Sequence, residues 1–338
     1  MELCVTKSNG KLVAPCGPTP STVLDLSRID RLPVLRGNVL TLHVFEPIGP
    51  RGAAWSIIRE ALSKALVPYY PLADHVSSDG SIIDCTGDGV WFVEASANCS
   101  LHSVGYFKDV MLIPFDDLLP SHPPESQRIH PLVLIQITEF ESDGFVMGLT
   151  FCHTICDGLG AAQFLNAVGE FARAVDPLTV TPSWHRNFLP PPLSTPANLP
   201  PPNIILPDYH LEQANIDIPL DHITLLKHKF MQESVQRCST FEIIAAILWR
   251  LRTQAIKPNS ESKPMKLVFF ANCRPLVAPP LPKGFYGNCF FPVTITTSSE
   301  TLTQASIIEV VRMIQAAKVR LSEEFSDWVK DRGGSKND

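Results

Sequence analysis

The chain has 338 residues, of which 45% are hydrophobic, and a formal net charge of −6, so it is long and apolar enough to fold as two soluble domains. An acidic balance without a broad basic face argues against nucleic acid and acidic membranes as partners. No apolar run approaches the ~20 residues that span a bilayer, and no secretory signal core is recognisable, so we expect a cytoplasmic protein without a membrane anchor. The nine cysteines are odd in number and scattered, which is typical of reduced thiols.

Hydrophobic periodicity predicts alternating strands and helices in the first half of the chain. Residues 11–36 are punctuated by prolines and favour extended chain. An apolar stripe predicts an amphipathic helix over 53–66, and a second helix is predicted over 159–174. Strands are predicted at 39–45, 81–85, 89–95, 131–140 and 144–151. Short turn sequences predict that the second and third of these strands form a hairpin and that the last two form an adjacent pair.

A proline-rich segment divides the chain. Nine of the 31 prolines lie between residues 182 and 207, a composition that cannot pack as a core element and predicts an interdomain crossover over 182–215. We therefore expect one domain over 1–181 and another over 216–338. In the second domain, strands are predicted at 216–219, 266–273 and 289–297, and helices at 222–233, at 303–325 and from a capping box at Ser239-Thr-Phe-Glu242 to about residue 254.

The motif His153-Thr-Ile-Cys-Asp157-Gly158 lies between a predicted buried strand and a predicted helix. A histidine at such a junction is held by rigid elements and can still face a cleft, as a general base requires. The carboxylate of Asp157 could cap the helix, pair with a cation or orient the imidazole, and the residues leave these roles open. The alternative is a structural His153 whose ring is satisfied by the backbone.

The same spacing occurs a second time, at His75-Val-Ser-Ser-Asp79-Gly80. A three-residue pattern of this kind recurs by chance in a chain of this size, so the spacing alone does not identify a site. The second match lies in a polar turn before a short strand, without a buried strand leading into it. We therefore expect His75 to have no chemical role.

Other familiar catalytic motifs are missing from the sequence. There is no Gly-x-Ser-x-Gly nucleophile elbow, no Walker loop and no Gly-x-Gly-x-x-Gly after a strand. Cys152, His153, Cys156 and Asp157 together could suggest a soft metal site. Because no second Cys/His pair lies at zinc spacing, we expect no metal and interpret the two cysteines as buried residues beside a core strand.

Several segments together resemble the plant BAHD family of acyl-CoA-dependent acyltransferases over nearly the whole chain. Residues 153–158 match the family's HxxxDG motif. Further matches are Leu12-Val-Ala-Pro15, residues 61–73, residues 84–94, Arg274, Pro279-Pro-Leu-Pro282 and Phe285-Tyr-Gly-Asn288. Residues 90–94, 286–293 and 325–328 resemble the branch of hydroxycinnamoyl-CoA:monolignol transferases, with benzyl-alcohol and taxane acyltransferases as near relatives.

The resemblance implies an α/β fold of two chloramphenicol-acetyltransferase-like domains, each of mixed sheet plus helices, with a tunnel between them. It implies a cytoplasmic monomer that needs no cofactor. Acyl-CoA would serve as co-substrate, and the acyl group (hydroxycinnamoyl, benzoyl or acetyl) would pass to a small alcohol or amine.

Roles for individual residues are also implied by the resemblance. His153 would take the acceptor's proton without an acyl-enzyme intermediate. Asp157 and Gly158 would shape the active-site loop, with Arg274 as the salt-bridge partner of Asp157. The family approaches CoA at positions that correspond to Ser239, Thr240, Tyr286 and Asn288.

Two departures from the family pattern stand out. The family's Pro-Leu-Ala-Gly-Arg segment is replaced by Pro71-Leu-Ala-Asp-His75, which also creates the second HxxxDG spacing. The chain ends shortly after Phe325-Ser-Asp-Trp328, where the family continues through an Asp-Phe-Gly-Trp-Gly motif, so we expect the second domain to be incomplete. The alternative function is therefore an inactive remnant of the family that binds a ligand or partner.

Overall fold

The protein is described by a computed structural model over residues 3–77, 79–127, 130–142, 144–189, 214–234, 236–256 and 263–330. It divides into two compact units, Met1–Tyr209 with Leu281–Asn288, and His210–Pro280 with Cys289–Asp338. The short segment Leu281–Asn288 thus belongs to the first unit. Most of the predicted crossover lies outside the described residues, and the predicted domain boundaries stay predictions.

Strands and helices alternate along the chain. In chain order the strands are β1 (Val5–Lys7), β2 (Lys11–Val13), β3 (Thr22–Asp25), β4 (Asn38–Phe45), β5 (His75–Val76), β6 (Ile82–Cys85), β7 (Val90–Ala97), β8 (Val133–Glu139), β9 (Phe145–Cys152), β10 (Pro264–Asn272) and β11 (Phe290–Ser298). The α-helices are α1 (Ala53–Ala65), α2 (Phe115–Leu118), α3 (Gly158–Ala172), α4 (Leu220–Ser234), α5 (Thr240–Ile256), α6 (Ser299–Gln304) and α7 (Ile307–Lys330).

A six-stranded mixed sheet forms the centre of the first unit. Its order is β1-β7-β8-β9-β4, with β2 also paired to β7. The β7–β8 pair is parallel, and the other pairs are antiparallel. Every residue of β8 is buried, as are all of β9 except its last, which explains why both strands have nearly continuous apolar sequences. The predicted pairing of these two strands is confirmed, and β9 leads directly into the HxxxDG motif.

Helices α1 and α3 pack against each other beside this sheet. Ile58 and Leu62 of α1, and Phe164 and Val168 of α3, belong to the main hydrophobic core, in which each is 5% exposed or less. The 3.6-residue periodicity of the sequence placed these side chains on one face of each helix. This packing fixes the start of α3, where the motif ends.

The predicted hairpin over residues 81–95 is wrong, although both of its strands exist. β6 pairs with β3 and β5 in a separate three-stranded sheet, whereas β7 enters the six-stranded sheet. The buried Asp74 accepts hydrogen bonds from the backbone amides of Thr86 (2.9 Å) and Gly87 (2.6 Å). Gly89 follows with φ +115°, and a Cβ there would lie 2.6 Å from the carbonyl oxygen of Val13. These contacts redirect the chain between the two sheets.

The second unit contains an antiparallel β10–β11 pair, in register from Pro264↔Ser298 to Asn272↔Phe290. Its helices contribute a separate core that includes Ile243, Trp249 and Ile314, and β11 adds Val293. A strand predicted at 216–219 is absent there, since those described residues have no regular structure before α4 begins.

The helix predicted at 303–325 is divided into α6 and α7. The break has a local cause at Ser306 and Glu309. The Ser306 amide donates to Glu309 Oε2 (2.7 Å), and the Glu309 amide donates to Ser306 Oγ (3.2 Å). This reciprocal pair is a capping box, which starts a new helix.

Candidate active site

His153 follows β9 directly and precedes α3 by a short loop. Its backbone amide donates to the carbonyl oxygen of Gly37 (3.1 Å), the residue before β4, so the loop is attached to the neighbouring strand of the sheet. The imidazole is half-buried, and its centroid lies 6.4 Å from that of Phe151. A histidine in this position is held by two strands and is still accessible, which are the two properties a general base needs.

Asp157 caps the helix that follows the motif. It is 8% exposed, and its Oδ1 accepts a hydrogen bond from the backbone amide of Gly160 (3.1 Å). Capping is therefore an observed role among the three that the sequence left open. A carboxylate at this position also interacts favourably with the N-terminal end of the helix dipole. Gly158 is exposed, and a Cβ at that residue would meet nothing within 4 Å.

Three consecutive carbonyl groups of the motif are bonded by two buried side chains. Asn288 Nδ2 lies 2.9 Å from the carbonyl oxygen of His153 and 3.2 Å from that of Thr154. Arg186 Nη2 donates to the carbonyl oxygen of Ile155 (2.6 Å). Asn288 was predicted to approach CoA. Its side chain is 0% exposed, and these two hydrogen bonds make it a support of the motif.

Asp30 and Arg186 form a buried ion pair beside the motif that the sequence interpretation missed. Arg186 Nε lies 3.3 Å from Asp30 Oδ2, and their side chains are 2% and 0% exposed. Asp30 is held in a reciprocal pair with Ser27, whose amide donates to Asp30 Oδ2 (2.9 Å). The Ser-x-x-Asp spacing was the only local signal, and nothing in it indicates a partner 156 residues away.

Tyr286 was also predicted to approach CoA, and its side chain is only 2% exposed. Its ring centroid lies 5.1 Å from that of Tyr69 and 6.2 Å from that of Trp184. Burial raises the pKa of the Tyr286 phenol well above its usual value, because the charged phenolate would lose its hydration. The structure thus places this side chain in the core of the first unit.

The backbone of Tyr286 also restricts the start of α3. A Cβ added to Gly160 would lie 1.8 Å from the carbonyl oxygen of Tyr286. We expect Gly160→Ala to destabilise the protein by about 1–3 kcal/mol because the clash involves backbone, lowering the melting temperature by about 5 °C. Gly158→Ala is the matched control, with open space around its Cβ. The measurement is a circular-dichroism melt of each variant. Equal melting temperatures for the two variants would contradict the close contact between Gly160 and the Tyr286 carbonyl.

Ser239 and Thr240 lie at the start of α5 in the second unit. The predicted capping box is confirmed, since the Ser239 amide donates to Glu242 Oε2 (2.8 Å) and the Glu242 amide donates to Ser239 Oγ (3.2 Å). Thr240 Oγ1 accepts a hydrogen bond from Lys227 Nζ (2.6 Å). Capping therefore accounts for Ser239 locally, and the predicted contact of both residues with CoA stays a prediction.

Arg274 follows β10 in the second unit. Its backbone amide donates to Asn272 Oδ1 (3.1 Å), and its Nη1 lies 3.3 Å from the same oxygen. These bonds hold the short turn after the strand. The predicted salt bridge between Arg274 and Asp157 stays a prediction.

An apolar cavity of about 720 Å³ lies within the first unit, next to the motif. Its lining includes Phe151, two residues before His153, and Gly158, the last residue of the motif. The other walls come from β4, β9, α1, α3 and the chain beside them: Val39, Thr41, His43, Phe45, Ile48, Ile57, Ile58, Phe145, Met147, Leu149, Ala161, Ala162, Leu165, Asn166, Val168, Gly169, Ala172 and Arg173. Mostly apolar cavities of this size with a few polar groups are typical of small-molecule sites.

The polar groups of this cavity include two hydrogen-bonded side chains on β4. Thr41 Oγ1 lies 3.0 Å from His43 Nε2. Burial lowers the pKa of His43, because the charged imidazolium would lose hydration. The cavity therefore presents a neutral imidazole among aromatic and aliphatic side chains at neutral pH.

The second HxxxDG match has a different environment. His75 lies on β5, and its Nδ1 is 3.8 Å from Asp88 Oδ2. The Asp79 carboxylate accepts hydrogen bonds from the hydroxyls of Ser77 and Ser81, which lower its pKa to about 2. Asp79 thus stabilises a surface turn, and nothing in these contacts resembles the support of His153.

Neither a metal centre nor a membrane span is found in the part of the chain that the structure describes. Within it, no group of three or more His, Cys, Asp or Glu residues is arranged to hold a metal ion. Among the same residues, no helix combines the length and apolarity needed to cross a bilayer.

Comparisons with known proteins give matches over most of the chain. The model of the Transferase family matches residues 3–332. The chain is 40% identical to Acyl transferase 4 of Oryza sativa subsp. japonica, over 97% of this chain and 80% of that protein. It is 36% identical to the 3'-N-debenzoyl-2'-deoxytaxol N-benzoyltransferase of Taxus canadensis, over 95% and 74%.

Solved structures show the same fold. Vinorine Synthase superposes with a TM-score of 0.70 at 20% identity, covering 96% of this chain and 80% of that one. F. sporotrichioides TRI101, crystallised with Coenzyme A and T-2, gives a TM-score of 0.68 at 13% identity, covering 93% and 78%. The predicted α/β class of mixed sheet plus helices is confirmed by these likenesses.

Proposed function

Because the chain belongs to the Transferase family, the BAHD acyltransferases, we propose that it transfers an acyl group from acyl-CoA to a small alcohol or amine, with His153 as general base. The observation that carries the proposal is the placement of His153: a half-buried imidazole at the end of β9, on a bonded loop that is flanked by the walls of an apolar cavity.

The proposed reaction is a direct transfer in a ternary complex. His153 accepts the proton of the acceptor's hydroxyl or amine as that atom attacks the thioester carbonyl. The tetrahedral intermediate then collapses and the carbon–sulfur bond breaks. The departing CoA sulfur takes the proton from His153, so CoA leaves as the free thiol and the imidazole is neutral again. Because the nucleophile belongs to the acceptor, no acyl-enzyme forms. Donors near the developing oxyanion would stabilise the intermediate.

The cavity supports an acyl or acceptor group with a sizeable apolar part. Its walls include the aromatic side chains of Phe45, Phe145 and Phe151, and Thr41 and His43 supply polar atoms. Relatives are named for transfer of benzoyl, caffeoyl and acetyl groups. We accordingly propose hydroxycinnamoyl, benzoyl or acetyl thioesters as donors, in plant specialised or cell-wall metabolism.

Supporting roles complete the proposal. Asp157 caps the start of α3, and its salt bridge with Arg274 is proposed from the family resemblance. Ser239 and Thr240 remain candidates for contact with CoA, whereas Tyr286 and Asn288 would influence CoA only through the backbone of their loop, since their side chains are buried. We further propose a cytoplasmic monomer without a resident cofactor.

A panel assay tests the function. The purified chain would be incubated with p-coumaroyl-, feruloyl-, benzoyl- or acetyl-CoA and simple alcohols and amines, with free CoA thiol and the ester or amide product both quantified. Product formation for at least one pair supports the proposal. Saturable acyl-CoA binding without any product would instead support the alternative, a ligand-binding remnant of the family. Light scattering during gel filtration would test the monomer.

A further inference from the structure

Asp30 lies at the centre of a buried polar cluster in the first unit. Its side chain is fully buried. Oδ1 accepts a hydrogen bond from Asn288 Nδ2 (2.7 Å), and Oδ2 lies 3.3 Å from Arg186 Nε. One carboxylate therefore orients two donor side chains that are 102 residues apart in sequence.

Both of these donors also bond the main chain of the HxxxDG motif. Asn288 Nδ2 reaches the carbonyl oxygens of His153 and Thr154, and Arg186 Nη2 reaches that of Ile155. Asn288 Nδ2 carries two hydrogens and has three acceptors, so one of its hydrogens is shared between two acceptor oxygens. The Asp30 carboxylate polarises the Asn288 amide through their hydrogen bond, because hydrogen bonds in a buried network strengthen one another, and its charge offsets that of Arg186.

The surroundings leave the donors little freedom. The Arg186 guanidinium carbon lies 4.2 Å from the ring centroid of Trp184 and 5.3 Å from that of Phe285. Gly287 lies so close to Arg186 that a Cβ there would be 1.0 Å from its Nη1. Cation–π contact and close packing therefore hold the guanidinium in one orientation.

We propose that Asp30, Arg186 and Asn288 are positioning residues for His153. They fix three successive peptide units of the motif, and through them the direction of the imidazole at the end of β9. A catalytic group must be held within about 0.5 Å of its productive geometry, and a misplacement of about 1 Å can cost ~100-fold in rate. This proposal rests on the acyl-transfer function proposed above.

Asn288→Ala tests the network most directly, because it removes the donor to two carbonyls and leaves the buried ion pair in place. We expect kcat to fall about 10–100-fold, with KM for acyl-CoA and acceptor within about twofold of wild type. Val93→Ala is the matched control. Val93 is fully buried, in a separate cluster with Trp91 and Leu134, so it should lower the melting temperature without lowering kcat.

A double variant tests the network without leaving a buried charge unpaired, which could by itself cause misfolding. Asp30→Asn alone would leave the buried Arg186 charge unpaired, so we would combine it with Arg186→Met, which removes both charges together. Of the three hydrogen bonds to motif carbonyl oxygens, the double variant loses only the one from Arg186 to Ile155. We expect a melting temperature close to wild type and a kcat reduced severalfold.

Hydrogen–deuterium exchange gives a readout that does not depend on turnover. Amides in a peptide covering residues 153–157 should exchange faster in Asn288→Ala than in wild type, and should be unchanged in Val93→Ala. Unchanged exchange in Asn288→Ala, or an unchanged kcat in an active enzyme, would overturn the positioning role. Absence of product from wild type would refute the proposed reaction, while the exchange experiment would still decide whether the network orders the motif.

Discussion

His153→Ala is expected to lower acyl transfer by about 10²–10⁴-fold, the usual contribution of a positioned general base. The physical reason is that an alcohol is a poor nucleophile until its proton is removed during attack. In the structure, the half-buried imidazole follows β9 and its amide is bonded to Gly37. The measurement is kcat/KM for the best donor–acceptor pair of the panel, with product identified by mass.

His75→Ala is the control for this prediction, since it removes the histidine of the other HxxxDG match. His75 lies beside Asp88 on a surface strand, so we expect activity within about twofold of wild type, as for surface substitutions away from a site. Thermal melts of both variants would separate catalysis from folding. Retained turnover in His153→Ala, or an equal loss in His75→Ala, would contradict the assignment of the base.

Ala162→Phe is expected to reduce kcat/KM for aromatic substrates by about 10–100-fold. Ala162 lines the 720 Å³ cavity and is exposed on α3, so a larger side chain can enter the cavity without disturbing the core. Loss of well-fitting apolar contacts in a pocket costs about 1–3 kcal/mol, which corresponds to this range. The effect should be clearly smaller for acetyl-CoA with a short aliphatic alcohol, because that pair fills less of the space.

Ala162→Ser is the matched control, since it hardly changes the cavity volume and retains the helix. It should keep near-wild-type kinetics with both substrate pairs. Uniform loss with large and small substrates in Ala162→Phe would show that the substitution acts on folding or on the motif. An unchanged aromatic activity would mean that the cavity does not hold the substrate.

Secondary structure could be predicted where a single periodic pattern decided it. β8 and β9 are buried on both faces, so their sequences are nearly continuous apolar runs that predict strands. Helices α1 and α3 each have one apolar face, which predicts amphipathic helices. The hairpin prediction failed because strand pairing depends on distant partners: β6 joins β3, and β7 joins β8. A turn held by Asp74 separates the two strands, and no local pattern encodes that partner.

The motif itself is a local property of the sequence, because strand, loop, capping aspartate and helix follow one another along a short stretch of chain. Residues 153–158 could therefore be recognised as a candidate site from their spacing and flanking segments, and so could the family. Capping by Asp157 follows from its position before Gly158 and the geometry of a helix start.

The support of the motif could not be recognised in this way. Arg186 and Asn288 bond the backbone of residues 153–155, and Asp30 contacts both of them, only because the fold brings four distant segments together. The cavity likewise forms between β4 and α3, which are separated by more than 100 residues. The sequence by itself determined the family, most of the secondary structure and the candidate base. Long-range packing and buried hydrogen bonds determined which side chains bond the backbone of the motif and where the apolar cavity forms, because these contacts depend on three-dimensional proximity.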